Sequence, residues 1–165
     1  MSTELTTQAT SQPTDPAHDP ALASHISHVL ETRLSASPIY VLLLPPSSIT
    51  LTHVSKGLIR ARLTLTAAHL NSSGSLHGGA AATMVDWAGG LAIAAWDGRE
   101  RTGVSVEIAT SYLAGAGLGT EIEIEGRAER VGGNLAWTSV GIWEVKEGRR
   151  GKTLVLGKHT KFVRQ

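Results

Sequence analysis

Several residue types that functional sites often need are absent or scarce in this sequence. The 165 residues contain no cysteine, which excludes disulfides, thiolate nucleophiles and cysteine-ligated metal sites. Aromatic residues make up only 4% of the chain, whereas glycine occurs 18 times, which indicates close backbone packing and many turns. A net charge of +1 provides no basic stripe, so we expect no nucleic-acid partner.

We also expect no secretory signal peptide, mitochondrial presequence or membrane span. The first 32 residues contain no lysine or arginine, which argues against a signal peptide and a mitochondrial presequence. The longest apolar stretch, residues 80–96, is interrupted by Asp86 and two glycines and is too short for a membrane span. No spacing of His, Asp and Glu is typical of a metal site. We expect an intracellular, cytoplasmic protein without a metal or resident cofactor, with a mitochondrial location left open.

Composition divides the chain into three parts. Residues 1–18 are rich in Ser, Thr, Gln and Pro, and we predict a disordered tail. Asp19 followed by Pro20 is typical of a helix N-cap with proline in the first turn, which predicts a helix over 20–36. Residues 19–47 then form this helix and a connection, and residues 48–165 form the main domain.

The main domain changes to a period of two. Apolar and polar residues alternate in five segments, at residues 59–66, 103–112, 120–131, 134–145 and 152–163. Between the first and second of these lies a helix over 79–96 that is hydrophobic nearly all round and should be buried. We predict an α+β fold in which a curved antiparallel sheet of five or six strands wraps around one long central helix.

The most informative segment precedes and opens this helix. Residues 71–79 (Asn-Ser-Ser-Gly-Ser-Leu-His-Gly-Gly) are polar and glycine-rich, and Asp86 is the one charged residue in the apolar stretch that follows. A buried carboxylate costs several kcal/mol unless it is paired or hydrogen-bonded. Glycines at a helix start leave backbone N–H groups free to hold an anion or an oxyanion. Together these features predict a catalytic site. We also expect the apolar neighbours of Asp86 to raise its pKa toward a value useful for a general base.

The same residues resemble a known family. Segment 71–79 followed by Asp86 is similar to the motif of the hotdog-fold acyl-CoA thioesterases, in particular the phenylacetate-degradation type and the small thioesterase-superfamily group. Residues 103–107 (Gly-Val-Ser-Val-Glu) resemble the third strand of that group, and residues 158–161 (Lys-His-Thr-Lys) resemble its last strand. The resemblance extends from about residue 48 to the end of the chain.

The resemblance implies a role for each residue of the motif. Gly79 would donate its backbone N–H to the thioester carbonyl, and Asn71 would help to polarise or position that carbonyl. Asp86 would act as a general base on water or as a nucleophile, and Ser105 would help to hold the attacking water. His77 would fix the loop by hydrogen bonding.

Two further residues border this motif. Gly78 is expected in the substrate-binding turn. Trp87 either limits the depth of the pocket or packs in the core.

Helix geometry adds a constraint. Seven residues separate Gly79 from Asp86, which is roughly 10 Å along a helix axis. A two-fold dimer with antiparallel central helices would bring Asp86 of one chain to Gly79 of the other. We therefore expect Asn71, His77 and Gly79 from one subunit and Asp86 and Ser105 from its mate, in a homodimer. The resemblance implies the same arrangement, and it also implies that such dimers pair into a homotetramer.

These features predict an acyl-CoA thioesterase that hydrolyses an acyl- or aryl-CoA to the free acid and CoA. Coenzyme A would enter as part of the substrate, and lipid metabolism would be the setting. Two alternatives stay open. One is a hotdog module that binds acyl-CoA without catalysis, which would not need a buried carboxylate. The other is a hotdog enoyl-CoA hydratase or dehydratase, for which His77 lies in the wrong context.

Overall fold

The computed structural model describes residues 15–163. Within this range the chain forms three α-helices, α1 (Pro20–Thr32), α2 (Pro38–Leu43) and α3 (Gly78–Asp97). It also forms six strands, β1 (Thr50–Ser55), β2 (Leu58–Thr64), β3 (Val104–Tyr112), β4 (Glu121–Gly132), β5 (Leu135–Lys146) and β6 (Arg149–Phe162). Three short 3-10 helices lie at Leu34–Ala36, Pro46–Ser48 and Ala67–His69.

The six strands form one sheet in the order β1-β2-β4-β5-β6-β3. Every neighbouring pair is antiparallel. The alternation of apolar and polar residues in the sequence fits such a sheet, because each strand turns one face to the core and the other to the solvent. The predicted α+β architecture, with five or six antiparallel strands and one long helix, is confirmed with six strands.

Helix α3 forms the centre of the core. It packs against β2 and β4 in one half of the sheet and against β6 and β3 in the other half. Thirteen of its 20 residues are buried, which explains why its sequence is apolar on nearly every face. Gly98 follows the last residue of the helix as its C-cap and adopts a left-handed conformation with φ of 73°. No helix in residues 15–163 is long and apolar enough to cross a membrane.

Glycines allow helix and sheet to approach closely. A Cβ on Gly89 of α3 would lie 2.7 Å from the Thr138 hydroxyl of β5. A Cβ on Gly126 of β4 would lie 2.5 Å from the backbone oxygen of Ala88. These two contacts are instances of the close backbone packing that the glycine content indicates.

We predict that Gly126→Ala destabilises the protein by about 1–3 kcal/mol, because the added methyl group would push β4 away from α3. The backbone oxygen of Ala88 cannot move aside as a flexible side chain could. Gly132→Ala, at the end of the same strand with no heavy atom within 4 Å of the added Cβ, is the matched control and should leave stability nearly unchanged. Urea unfolding of the two variants provides the measurement, and equal midpoints would contradict the prediction.

The N-terminal part of the chain differs from expectation at the end of its first helix and in the segment that precedes this helix. Asp19 caps α1 as predicted, because its side chain accepts hydrogen bonds from the first turn, but α1 ends at Thr32 and a 3-10 turn follows. The expectation of a disordered segment is wrong for residues 15–18, because Asp15 forms ion pairs with Arg60 and Arg127 on the sheet. The remainder of that predicted tail, residues 1–14, lies outside the described residues.

Strand β3 is an open edge of the sheet. It pairs with β6 on one side, and none of its nine residues is buried. Val104 is 70% exposed and Val106 is 60% exposed. Edge strands usually avoid exposed apolar side chains, because these favour pairing with another chain. The opposite edge is covered, since α1 packs against β1 and the Asp19 N–H donates to the Val54 carbonyl at 2.8 Å.

Candidate active site

Asp86 lies on the third turn of α3 and is held by two groups from distant parts of the chain. The Tyr40 hydroxyl of α2 donates to Asp86 Oδ2 at 2.7 Å. The Lys161 Nζ of β6 donates to Asp86 Oδ1, also at 2.7 Å. The Lys161 side chain is only 4% exposed, whereas that of Asp86 is 26% exposed. The carboxylate is therefore paired as a half-buried charge requires, and part of it still faces the surface.

Ser105 of β3 and His159 of β6 complete this cluster. The Ser105 hydroxyl lies 3.4 Å from Asp86 Oδ1 and 3.0 Å from His159 Nε2. Burial and, to a smaller extent, the adjacent Lys161 lower the pKa of His159 to about 4, against the opposing charge of Asp86. His159 is therefore neutral at neutral pH, and its 3.5 Å contact with Asp86 is not an ion pair. The structure thus brings together Asp86 and Ser105, as the sequence predicted.

The predicted rise in the pKa of Asp86 is wrong. Burial does raise the pKa of this carboxyl group, but Lys161 and the Tyr40 hydroxyl together outweigh burial and hold the pKa below its ordinary value. The electrostatic environment of Asp86 is set by groups that are far away in the sequence, and not by the apolar residues next to it. The carboxylate is ionised at neutral pH.

The predicted motif forms a tight loop before α3. The Asn71 side-chain oxygen accepts hydrogen bonds from the backbone N–H groups of Ser73 and Ser75, at 2.9 and 3.1 Å. His77 is the N-cap of α3, and its Nδ1 accepts from the Gly79 N–H at 2.8 Å. His77 therefore orders the loop locally, and the Gly79 N–H already has a partner.

Gly78 lies at the first position of α3 with its backbone close to an aromatic ring. The Tyr112 hydroxyl donates to the Gly78 carbonyl at 3.0 Å, and a Cβ on Gly78 would lie 3.4 Å from that ring. No residue in 15–163 accepts a hydrogen bond from the Gly78 N–H. A pocket of about 350 Å³ opens here, lined mainly by Leu76, Gly78, Tyr112, Leu113, Ala114 and Gly115.

Within one chain, the loop that holds Asn71, His77 and Gly79 is not in contact with the pair formed by Asp86 and Ser105. The loop lies at the start of α3, and Asp86 lies seven residues after Gly79 on the same continuous helix, roughly 10 Å along its axis. A larger groove of about 640 Å³ is lined by residues of β3, β4, β5 and β6, among them Arg127 and Trp143. None of the predicted site residues lines that groove, so its size does not make it the active site.

Trp87 follows Asp86 but points into the core. Its side chain is 1% exposed, and it does not line the pocket at Gly78. Among the described residues, the indole N–H has no hydrogen-bond partner. Of the two predicted roles, core packing fits the single chain.

Three residues that contact Asp86 are absent from the predicted site, namely Tyr40, His159 and Lys161. Lys161 had a signal, because it occupies the core-facing position of an alternating strand between the buried His159 and Val163. A lysine there requires a buried anion, and Asp86 is the charged residue within the apolar helix. Tyr40 had no comparable signal, since it lies in a helix of only six residues.

In residues 15–163, no group of three or more His, Asp and Glu side chains is arranged to hold a metal ion. The arrangement instead offers an ionised carboxylate beside a hydroxyl, and a glycine turn with a free N–H. These groups are suited to activating a water molecule and to stabilising an oxyanion.

Comparison with known proteins places the chain in a family. Residues 73–150 match the model of the Thioesterase superfamily. The chain is 34% identical to human acyl-coenzyme A thioesterase 13 over 115 residues, which cover 70% of this chain and 79% of the human protein. Its fold is similar to that of zebrafish thioesterase superfamily member 2, with a TM-score of 0.72, 27% identity, and coverage of 86% of this chain and 96% of that one. A hypothetical thioesterase protein from Streptococcus pneumoniae, solved with coenzyme A, shares the fold, with a TM-score of 0.62, 23% identity, and coverage of 72% of this chain and 87% of that one. The resemblance seen in the sequence is thus confirmed, and the chain belongs to the thioesterase superfamily, with the hotdog fold.

Proposed function

We propose that this protein is an acyl-CoA thioesterase that hydrolyses an acyl- or aryl-CoA to the free acid and CoA. The observation that supports this most is the state of Asp86, an ionised and partly exposed carboxylate on the central helix, anchored at both oxygens. Its family relatives include human acyl-coenzyme A thioesterase 13, and a protein of the same fold was solved with coenzyme A. Coenzyme A is then part of the substrate rather than a resident cofactor.

The chemistry follows from the groups present. Asp86 accepts a proton from a water molecule that the Ser105 hydroxyl helps to hold, while the water oxygen bonds to the thioester carbonyl carbon. The carbonyl oxygen becomes an oxyanion, the carbon–sulfur bond then breaks, and the proton passes to the CoA thiolate. This assigns Asp86 the role of a general base. Attack by the Asp86 carboxylate itself is the alternative role.

The glycine turn at the start of α3 supplies the oxyanion site in this proposal. His77 engages the Gly79 N–H, so we assign the oxyanion to the adjacent Gly78 N–H, which has no acceptor among the described residues. The positive end of the helix dipole adds to the stabilisation of negative charge there. Loss of one such donor typically lowers turnover by about 100- to 1000-fold. Asn71 holds the preceding loop through its side-chain oxygen.

The site is shared between two copies of the chain. The open edge of β3 and its exposed Val104 and Val106 are suited to pairing with β3 of a second copy. Two-fold pairing at this edge would set the central helices antiparallel and place Asp86 and Ser105 of one subunit near the glycine turn of the other. Two such dimers would pair into a homotetramer.

Release of free thiol from a panel of acyl-CoA esters tests the function directly. Because the chain contains no cysteine, a thiol-reactive dye reports only the CoA that is released. We expect turnover on at least one ester that depends on the acyl group. Tight binding of esters without turnover would instead support the acyl-CoA-binding module, and hydration of an enoyl-CoA would support the hydratase.

A further inference from the structure

Tyr40 connects the N-terminal helices to the proposed catalytic carboxylate. We propose that Tyr40 is a positioning residue for thioester hydrolysis, which holds the plane of the Asp86 carboxylate in the orientation that catalysis uses. This inference rests on the proposed function. Tyr40 lies in α2, well before the segment 73–150 that matches the family model, and its hydroxyl donates to Asp86 Oδ2 at 2.7 Å.

The two anchors of Asp86 act on different oxygens. Lys161 holds Oδ1 at 2.7 Å, and Tyr40 holds Oδ2 at the same distance from another direction. The bond from Cβ to the carboxyl carbon has only a broad rotational preference of its own. One anchor alone would leave the carboxylate free to turn about that bond. Two anchors on opposite oxygens fix its plane, and the remaining lone pairs can face water and substrate.

Tyr40 itself is held firmly. The backbone carbonyl of Leu43, near the end of α2, accepts a hydrogen bond from His69 Nε2 at 2.6 Å. His69 Nδ1 accepts from the Thr66 N–H at 2.8 Å, so Nε2 is the nitrogen that carries the proton. Leu43 and Leu44 are buried in the main core. Helix α2 is therefore fixed at its C-terminal end, and the Tyr40 hydroxyl has a defined position.

The Tyr40 hydroxyl stays protonated under working conditions. Burial and the neighbouring Asp86 both raise the pKa of Tyr40 above its ordinary value. The titratable groups that face Asp86 are Tyr40 from α2 and Lys161 and His159 from β6. Among these, Tyr40 is a neutral donor that stabilises the ionised carboxylate without exchanging its proton.

Tyr40→Phe removes this donor and leaves the ring. We expect kcat to fall about tenfold with KM changed less than about twofold, since a hydrogen bond to a charged group is lost while substrate contacts stay. Because the lost donor favours the ionised form of Asp86, the pKa of that carboxyl group should rise. The acid limb of the kcat/KM profile should move to higher pH accordingly.

Leu42→Ala is the matched control, since Leu42 lies in the same helix and its side chain is 66% exposed. This variant should keep the wild-type acid limb. Thermal melts of both variants check that each is folded. Loss of activity in both variants without a shift in the acid limb would mean that α2 has only a structural role, which would overturn the proposal.

A second measurement needs no substrate. The 13C chemical shift of the Asp86 carboxyl carbon, followed against pH, reports its pKa in wild type and in Tyr40→Phe. A higher midpoint in the variant shows that the Tyr40 hydroxyl stabilises the ionised form of Asp86. If the wild type hydrolyses no acyl-CoA, the proposed function fails and only this contact between Tyr40 and Asp86 stands. An unchanged midpoint together with an active wild type would overturn the inference alone.

Discussion

Asp86→Asn is expected to lower thioester turnover by about 100- to 10,000-fold, the range typical for loss of a general base. The amide cannot accept the proton from water, although it can still accept the hydrogen bond from Tyr40. Binding of a non-hydrolysable acyl-CoA analogue should be nearly unchanged. Thiol release measured beside analogue binding separates the two effects, and a variant with wild-type turnover would refute the assignment of Asp86.

The same substitution should also reduce the stability of the protein. The loss of turnover can be assigned to the missing base only if this loss of stability is compensated. Lys161 is almost fully buried, and without Asp86 its charge would have no partner within the cluster. Breaking a buried ion pair from one side costs roughly 3–5 kcal/mol. The double variant Asp86→Asn with Lys161→Met removes the orphaned charge and should recover much of this loss. We expect the double variant to be stable and still inactive, whereas recovered turnover would show that instability caused the defect.

The second large effect is recovery of activity by mixing two inactive variants. Asp86→Asn damages one half of the proposed site and Asn71→Ala damages the other, since Asn71 orders the loop before α3. In a shared-site dimer, each mixed pair contains one intact site and one doubly damaged site. Co-refolding equal amounts should therefore restore about a quarter of wild-type turnover, because half of the randomly formed dimers are mixed.

Mixing Asp86→Asn with Asp86→Ala is the control. Both substitutions damage the same half, so no mixed dimer contains an intact site. Absence of recovery in both mixtures, with dimers shown by light scattering, would place the whole site within one chain. Recovery only in the first mixture would support the shared site.

Local patterns explain why much of the fold could be predicted. The strands alternate apolar and polar residues, and the central helix is apolar on nearly every face. Both patterns are therefore recognisable from a short stretch of sequence. Asp86 was also evident, because a single charge in an apolar helix needs a partner. Ser105 was placed beside it through the resemblance.

The contacts of Asp86 were harder to predict because they join distant segments. Tyr40 and Lys161 lie 46 and 75 residues away in sequence. The pKa of Asp86 was predicted to rise because its sequence neighbours are apolar. Those neighbours point elsewhere around the helix, and the groups that face the carboxyl oxygens come from α2 and β6. A six-residue helix such as α2 is too short to leave a periodic signal.

A site shared across the open edge of β3 would make the activity depend on the protein concentration. If each site needs two chains, the specific activity should fall when the protein is diluted below the dissociation constant of the dimer. The free chain would then be inactive, and its exposed apolar edge strand would favour aggregation with other chains. Assembly would thus protect the chain from aggregation and switch on its catalysis in the same step.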